Sequence, residues 1–258
     1  MLILGIDTST QRSSVAIGNQ DGLLATASLG RPNAHGGFLI PAIEFCFQQA
    51  GVTMTQLNGI AVSVGPGLFT GMRVGIATAQ TMAHARGLPV VGMASLDLMA
   101  FGVRHARREV CAVLDARRKE LFWGRYQVVP GGVQRSGEFR VGPAEKLAAE
   151  LEAVAEDVLC VGDGALAHRT LLESTGAEVC DSDTLAYPDA GSLLALAVPR
   201  FIREETQRAE DLQPIYLRKA DARIGWQQRG VLSGGSAVSS PTTATVPPPA
   251  SPPDPVGG

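Results

Sequence analysis

The sequence predicts an α/β protein built from two tandem copies of one unit, each a mixed sheet with helices on both faces. Three observations predict it. Short apolar runs of strand length alternate with segments of helix length, the pattern of sheets that carry parallel strands. The chain opens with three strand-like runs in succession, which reads as an antiparallel meander at the edge of such a sheet. The whole pattern then restarts near residue 110, and a repeat of that length is the trace of a duplicated unit.

The elements follow in order. Leu2 to Asp7, Ser14 to Gly18 and Leu23 to Leu29 are the meander, with Gly18, Asn19, Asp21 and Gly22 as turn residues. Phe38 to Ala50 is a helix, and Gly59 to Val64 a fully apolar strand. Gly71 to Arg86 is a second helix, stopped by Gly87 and Pro89. Pro89 to Met93 is another buried strand, and Ser95 caps a third helix to about His105. The second half opens on the apolar run Val110 to Asp115, a polar turn Ala116 to Lys119, and a returning strand Glu120 to Val129. Glu138 to Val141, Pro143 to Leu151, Val158 to Gly162 and Gly164 to Glu173 continue as strand, helix, strand and helix. Parallel additions to one sheet require right-handed crossovers.

Composition narrows the function classes. Of the 258 residues, 45 % are hydrophobic and 18 % charged, ample for a core. A net charge of -3 argues against a general polyanion binder, while leaving a local RNA-contacting patch open. No run approaches the ~20 apolar residues that span a bilayer. Met1 to Ile6 lacks a basic lead-in and reads as a buried strand rather than a signal peptide. Cys46, Cys111, Cys160 and Cys180 form no CxxC and read as small buried residues of a cytoplasmic protein. His35, His84, His105 and His168 show no HxxxH or HExxH spacing, so no metal site follows from them. From Gly230 onward the composition changes, with 7 of the chain's 16 prolines between Pro241 and Pro255. Segment 230–258 is expected to be a disordered proline-rich tail.

Two strand ends carry an aspartate, Asp7 and Asp115, each followed by a polar turn. Paired across a cleft they suit a Mg²⁺-bound phosphate, with Thr8, Ser9 and Thr10 as hydroxyl donors. Alternatively each Asp bonds the amides of its own turn. The loop Gly65-Pro66-Gly67-Leu68-Phe69-Thr70-Gly71 precedes a helix, whose N-terminus can hold an anion, and Arg73 is the nearby cation. It has neither the Walker A lysine nor GxGxxG spacing, so a tight strand-to-helix turn is the preferred reading. Helices 38–47 and 72–84 are apolar or small nearly all round, which marks burial on two sides and an oligomeric interface on one. Arg104, Arg107, Arg108, Arg117, Arg118 and Lys119 cluster in sequence, as a solvated face or a phosphate contact.

Leu4-Gly5-Ile6-Asp7-Thr8-Ser9-Thr10, the glycine loop running on through Gly71-Met72-Arg73-Val74-Gly75, Leu114-Asp115-Ala116-Arg117 and Pro214-Ile215-Tyr216-Leu217-Arg218 together resemble the TsaB family of the bacterial tRNA N6-threonylcarbamoyladenosine (t6A) machinery. The resemblance covers about residues 1–220. It implies the actin/Hsp70/sugar-kinase fold: ribonuclease-H-like lobes at 1–105 and 106–220, with a C-terminal helix that packs back on the first. The catalytic relative TsaD transfers threonylcarbamoyl to tRNA adenosine 37 and holds metal through HxxxH. The matching positions here are Ser95 and Met99, poor metal ligands. The resemblance therefore implies a non-catalytic scaffold and dimerisation subunit with no cofactor of its own, inside a complex that uses ATP and Mg²⁺. It also implies pairing with a TsaD-like paralogue, a TsaE-like ATPase, tRNA reached through the complex, and a possible homodimer. The docking residues expected are Phe38, Leu39, Ile43, Phe47, Met72, Ile76, Ala79 and Ala83, so that Ile76→Glu or Phe38→Glu breaks the pairing. Asp7, Thr8, Asp115 and Arg73 are the phosphate or nucleotide candidates. The competing class is a stand-alone ATPase or small-molecule kinase of the same fold that uses Asp7 and Asp115.

Overall fold

A computed structural model describes residues 1–31, 34–153 and 157–218; the proline-rich segment 230–258 lies outside them. The first half runs β1 (Ile3–Asp7), β2 (Ser13–Asn19), β3 (Gly22–Leu29), α1 (His35–Ala50), β4 (Gly59–Gly65), α2 (Phe69–Arg86), β5 (Val90–Ala94) and α3 (Ser95–Gly102). The second half runs β6 (Glu109–Arg117), β7 (Glu120–Val129), β8 (Gly132–Arg135), β9 (Arg140–Gly142), α4 (Ala144–Glu152) and β10 (Val158–Val161). It continues with α5 (Asp163–Ala167), α6 (Arg169–Glu173), β11 (Glu178–Val179) and α7 (Ala190–Ile202).

The duplication is visible in the strand order. The first sheet is ordered β3-β2-β1-β4-β5, and the second, read in the same direction, β8-β7-β6-β10-β11. In both, the first three strands pair antiparallel and the next two add in parallel. Period-two alternation then sends successive side chains to opposite faces. Leu4, Ile6, Val15, Ile17, Ile60 and Val62 meet α1 and α2. Ile3, Ala16 and Ala61 meet Leu193, Leu194, Ala197 and Phe201 of α7. On the second sheet Cys111, Val113, Leu121 and Trp123 face α4, α5 and α6. Val110, Ala112, Leu114 and Phe122 face Leu96, Met99 and Ala100 of α3.

The helices after the fifth strands are thus exchanged. α3, from the first half, packs mainly on the second sheet, and α7, from the second half, packs on the first. A cut at 105/106 separates the two sheets but strands each inner-face helix on the wrong side of it. Asp189 caps α7 by accepting from the Ser192 amide at 2.9 Å and its hydroxyl at 2.6 Å.

Several elements differ from expectation. The third strand of the second half is split: β8 pairs the end of β7 and β9 pairs its start. The helix expected over 164–173 breaks at His168 (φ -117°, ψ 24°), and α3 ends at Gly102 rather than His105. No helix among the described residues is long and apolar enough to cross a membrane.

Candidate functional site

The ends of β1 and β6 lie at the cleft between the two sheets. Ser9, Thr10, Gln11, Gly67 and Leu68 line it from the first half, and Leu114, Asp115, Arg117 and Asp163 from the second. The space enclosed is about 10 Å³, room for at most about one water. Both sides are tied together. Gln11 Nε2 donates to Tyr187 Oη at 3.2 Å, and Arg12 donates to the carbonyls of Thr184 (3.2 Å) and Asp183 (2.9 Å) while lying 4.8 Å from the centre of the Tyr187 ring. At the C-terminal end, Ile215 N donates to Val64 O at 2.8 Å and Arg218 reaches Glu120 Oε2 at 2.8 Å.

The glycine loop serves close packing. A Cβ on Gly67 would overlap the Ser9 carbonyl, one on Gly71 the Thr8 carbonyl, and one on Gly75 the Thr8 hydroxyl. The four-residue spacing continues through the fully buried Ala79 and Ala83. One face of α2 is therefore a row of small residues, which lets the helix press onto the end of β1 and its sheet. The Leu68 amide donates to Ser9 O at 2.7 Å, and Thr8 Oγ1 to Gly71 O at 2.7 Å. The loop spends these polar groups on the chain itself, and the residues do not fit a nucleotide phosphate in this cleft.

Both aspartates make the local turn bond. Asp7 Oδ1 accepts from Ser9 N at 3.2 Å and Ser9 Oγ at 2.7 Å; Asp115 Oδ1 accepts from Arg117 N at 2.7 Å. The duplication thus extends to an identical i→i+2 side-chain bond. Their surroundings differ. Asp115 is half-buried and also pairs with the Arg117 guanidinium at 3.1 Å. Asp7 is fully buried, and its Oδ2 has no partner within hydrogen-bond distance, nor has Ser63 Oγ. Burial lifts the Asp7 carboxyl from the ordinary 3.8 to about 6, against the opposing pull of the Ser9 hydroxyl and amide. Burial likewise raises Asp163, whose carboxylate accepts from Asp115 N at 3.0 Å.

A raised carboxyl binds its proton more tightly in the folded state, so its contribution to stability is full below the unfolded value and is lost as pH climbs to the folded one. Asp7→Asn should remove a fall in stability on the order of 3 kcal/mol between about pH 4 and 6. Urea denaturation of both proteins across that range measures the difference; parallel curves would refute it.

The phosphate candidates are therefore not gathered. Asp115 lines the cleft, Asp7 and Thr8 are sealed beneath it, and Arg73 lies outside on the exposed side of α2. The Arg73 guanidinium lies 3.7 Å from the centre of the Phe69 ring and its Nε donates to Tyr216 Oη at 3.0 Å. Sequence reasoning missed Ser63, Gln11 and Tyr187, whose roles rest on partners remote in sequence. Asp163 falls between the strand and the helix read over 158–162 and 164–173. Ser95 Oγ donates to the Pro66 carbonyl and Met99 is buried. Among the described residues no group of three His, Cys, Asp or Glu side chains is placed to hold a metal.

The expected docking residues lie mostly on the inward side of α1 and α2. Leu39, Ile43, Met72, Ile76, Ala79 and Ala83 all lie in the protein's own core, and Phe38 and Phe47 are half-buried against it. The outward side of α1 carries Ile40, 50 % exposed, Pro41 and Phe45, 47 % exposed. The outward side of α2 carries Thr70, Arg73, Ala77 and Thr81. Beside it opens a groove of about 360 Å³ lined by His35, Phe69, Thr70, Gly71, Val74 and Arg117. His35 Nδ1 lies 2.7 Å from Ser13 Oγ, and burial lowers its pKa.

Two sheets of order 3-2-1-4-5 meeting at a cleft define a duplicated α/β protein of the actin-like class. The family profile described as TsaD, tRNA N6-adenosine threonylcarbamoyltransferase, matches residues 32–226. The tRNA threonylcarbamoyladenosine biosynthesis protein TsaB of Escherichia coli is 31 % identical over 231 residues, 88 % of this chain and 98 % of the relative. A Pseudomonas aeruginosa protein described as similar to peptidase YeaZ superposes with TM-score 0.75 at 31 % identity, covering 84 % of this chain and 99 % of that one. YeaZ from the same organism gives TM-score 0.72 at 29 % identity, covering 83 % and 100 %. The chain belongs to the TsaB family.

Proposed function

We propose that this protein acts in tRNA t6A biosynthesis as a non-catalytic subunit that docks a TsaD-like catalytic paralogue. The observation that carries the reading is the outward side of α1, where Ile40, Pro41 and Phe45 present apolar surface to solvent. Exposed large apolar residues grouped on one helix are the usual core of an interface. The small outward residues of α2, Ala77 and Thr81, let a partner helix approach closely beside them. The same surface serves a homodimer when the paralogue is absent. A TsaE-like ATPase brings ATP and Mg²⁺ to the complex, and the setting is the cytoplasm. The filled cleft and the buried Asp7 support this reading over a stand-alone kinase or ATPase, which needs room for a nucleotide beside that carboxylate.

Ile40→Glu and Phe45→Glu should each leave the fold intact and weaken co-elution with the TsaD-like paralogue by at least about 100-fold in affinity, since each buries an unpaired charge in the interface. Undiminished co-elution of both variants refutes the docking face.

A further inference from the structure

We propose that the groove beside α2 binds a small monocarboxylate on an apolar stem, with the carboxylate held where the first turns of α1 and α2 meet. Both turns wall the same groove of about 360 Å³, α1 through His35 and Gly36, α2 through Phe69, Thr70 and Gly71. The first amides of a helix have no partner within it, and a side chain at the N-cap or an acid in the first turn normally serves them. Neither helix has one. The N-caps are Ala34 and Leu68, without a side-chain cap bond, and neither first turn holds an acid. Among the described residues, the amides of residues 35–37 and 69–71 find no acceptor.

The independent observation is His35. It is 6 % exposed, lines the groove, and bonds through one ring nitrogen only, with Nδ1 2.7 Å from Ser13 Oγ. Ser13 is buried too, and Nδ1 is the one acceptor its hydroxyl has among the described residues. The hydroxyl therefore donates to Nδ1, and the ring proton stands on Nε2. Nε2 has no partner among the described residues and lies against Gly71, where a Cβ would stand 3.2 Å from it. Burial lowers the pKa of the ring, which keeps it a neutral donor. A buried donor left over beside two unserved helix ends calls for an acceptor from outside the chain.

Charge decides the class of ligand. No acid lines the groove, and the charge of Arg117 on its wall is already matched by Asp115 at 3.1 Å. What remains is hydrogen bonding and two helix dipoles, each worth about half a charge. That suits one negative charge rather than the nearly two of a phosphate monoester. Leu68, Phe69 and Val74 form an apolar wall beside the polar end, fit for an aliphatic or aromatic stem.

The inference does not rest on the docking reading, and its test needs no partner. The full chain, isotopically labelled for amide and imidazole NMR, is titrated with phenylacetate, with its neutral amide phenylacetamide, and with phenyl phosphate. Saturable shifts are expected at Gly36, Thr70, Gly71 and the His35 Nε2–H, with phenylacetate binding at least about tenfold more tightly than either control. Thr70 is exposed, and Thr70→Glu supplies the first turn of α2 with a carboxylate from the chain itself. Its melting temperature should hold or rise while phenylacetate affinity falls at least about tenfold. Absent or unsaturable shifts, equal binding of the amide, tighter binding of phenyl phosphate, or parent-like affinity in Thr70→Glu each overturn the proposal.

Discussion

Ile76→Glu is expected to abolish cooperative folding, whereas Phe45→Glu, of the same chemistry on the neighbouring helix, should leave unfolding close to that of the parent. Ile76 is buried among Ile6, Val62 and the other residues that α1 and α2 lay on the first sheet. Glutamate there removes a core side chain and puts a carboxylate among apolar side chains. The combined cost is about 5 kcal/mol or more, comparable to the whole stability of a typical domain. Phe45 is half in solvent, and a carboxylate at its position stays hydrated, so the expected change is within about 0.5–1 kcal/mol. Phe38→Glu falls between the two, because Phe38 is half-buried against the core. Urea denaturation followed by circular dichroism, run beside the co-elution measurement, separates the variants. A cooperative, parent-like transition for Ile76→Glu would contradict the packing described.

Gly67→Ala and Gly71→Ala should each cost about 3 kcal/mol, at the upper end for one added methyl. The reason is what the methyl meets. In both positions it overlaps a backbone carbonyl, of Ser9 or Thr8, rather than the movable end of a side chain. Relief requires α2 to lift from the end of β1, which also breaks the Leu68 to Ser9 hydrogen bond. Gly37→Ala is the control. It lies in α1 with nothing within 4 Å of the added methyl, so the change should stabilise the isolated chain by about 0.5–1 kcal/mol through helix propensity. Equal stability of all three variants would show that the glycine loop is not pressed onto β1 in solution.

Much of this was legible in the sequence. Strand-length apolar runs, the repeated aspartate at the end of β1 and β6, and Gly87 closing α2 are local signals, and the elements stand within a few residues of where they were read. The tight turn at the glycine loop was legible as well, because spacing alone excluded a Walker loop; the local bonds of the two aspartates were one of two readings that the sequence left open. Periodicity left the orientation of α1 and α2 undetermined. Both helices are apolar or small nearly all round, so no stripe said which side faces the sheet. Six residues expected to dock a partner turned out to hold the core.

By itself, the sequence determined the duplicated strand pattern, the position of most helices and strands as far as residue 173, the glycine loop and the family. All of these depend on residues near one another in the chain, whose spacing sets periodicity, turns and caps. Only the tertiary structure decided which face of α1 and α2 remains outward, and that α3 and α7 are exchanged between the sheets. It alone decided that the cleft closes until Asp7 is dry, and that Arg73, Phe69 and Tyr216 come together near Arg117. Each of these depends on surfaces brought together from distant parts of the chain: Gln11 meets Tyr187, and Arg73 meets Tyr216. Burial, and the pKa and packing that follow from it, belong to those pairings rather than to any single segment.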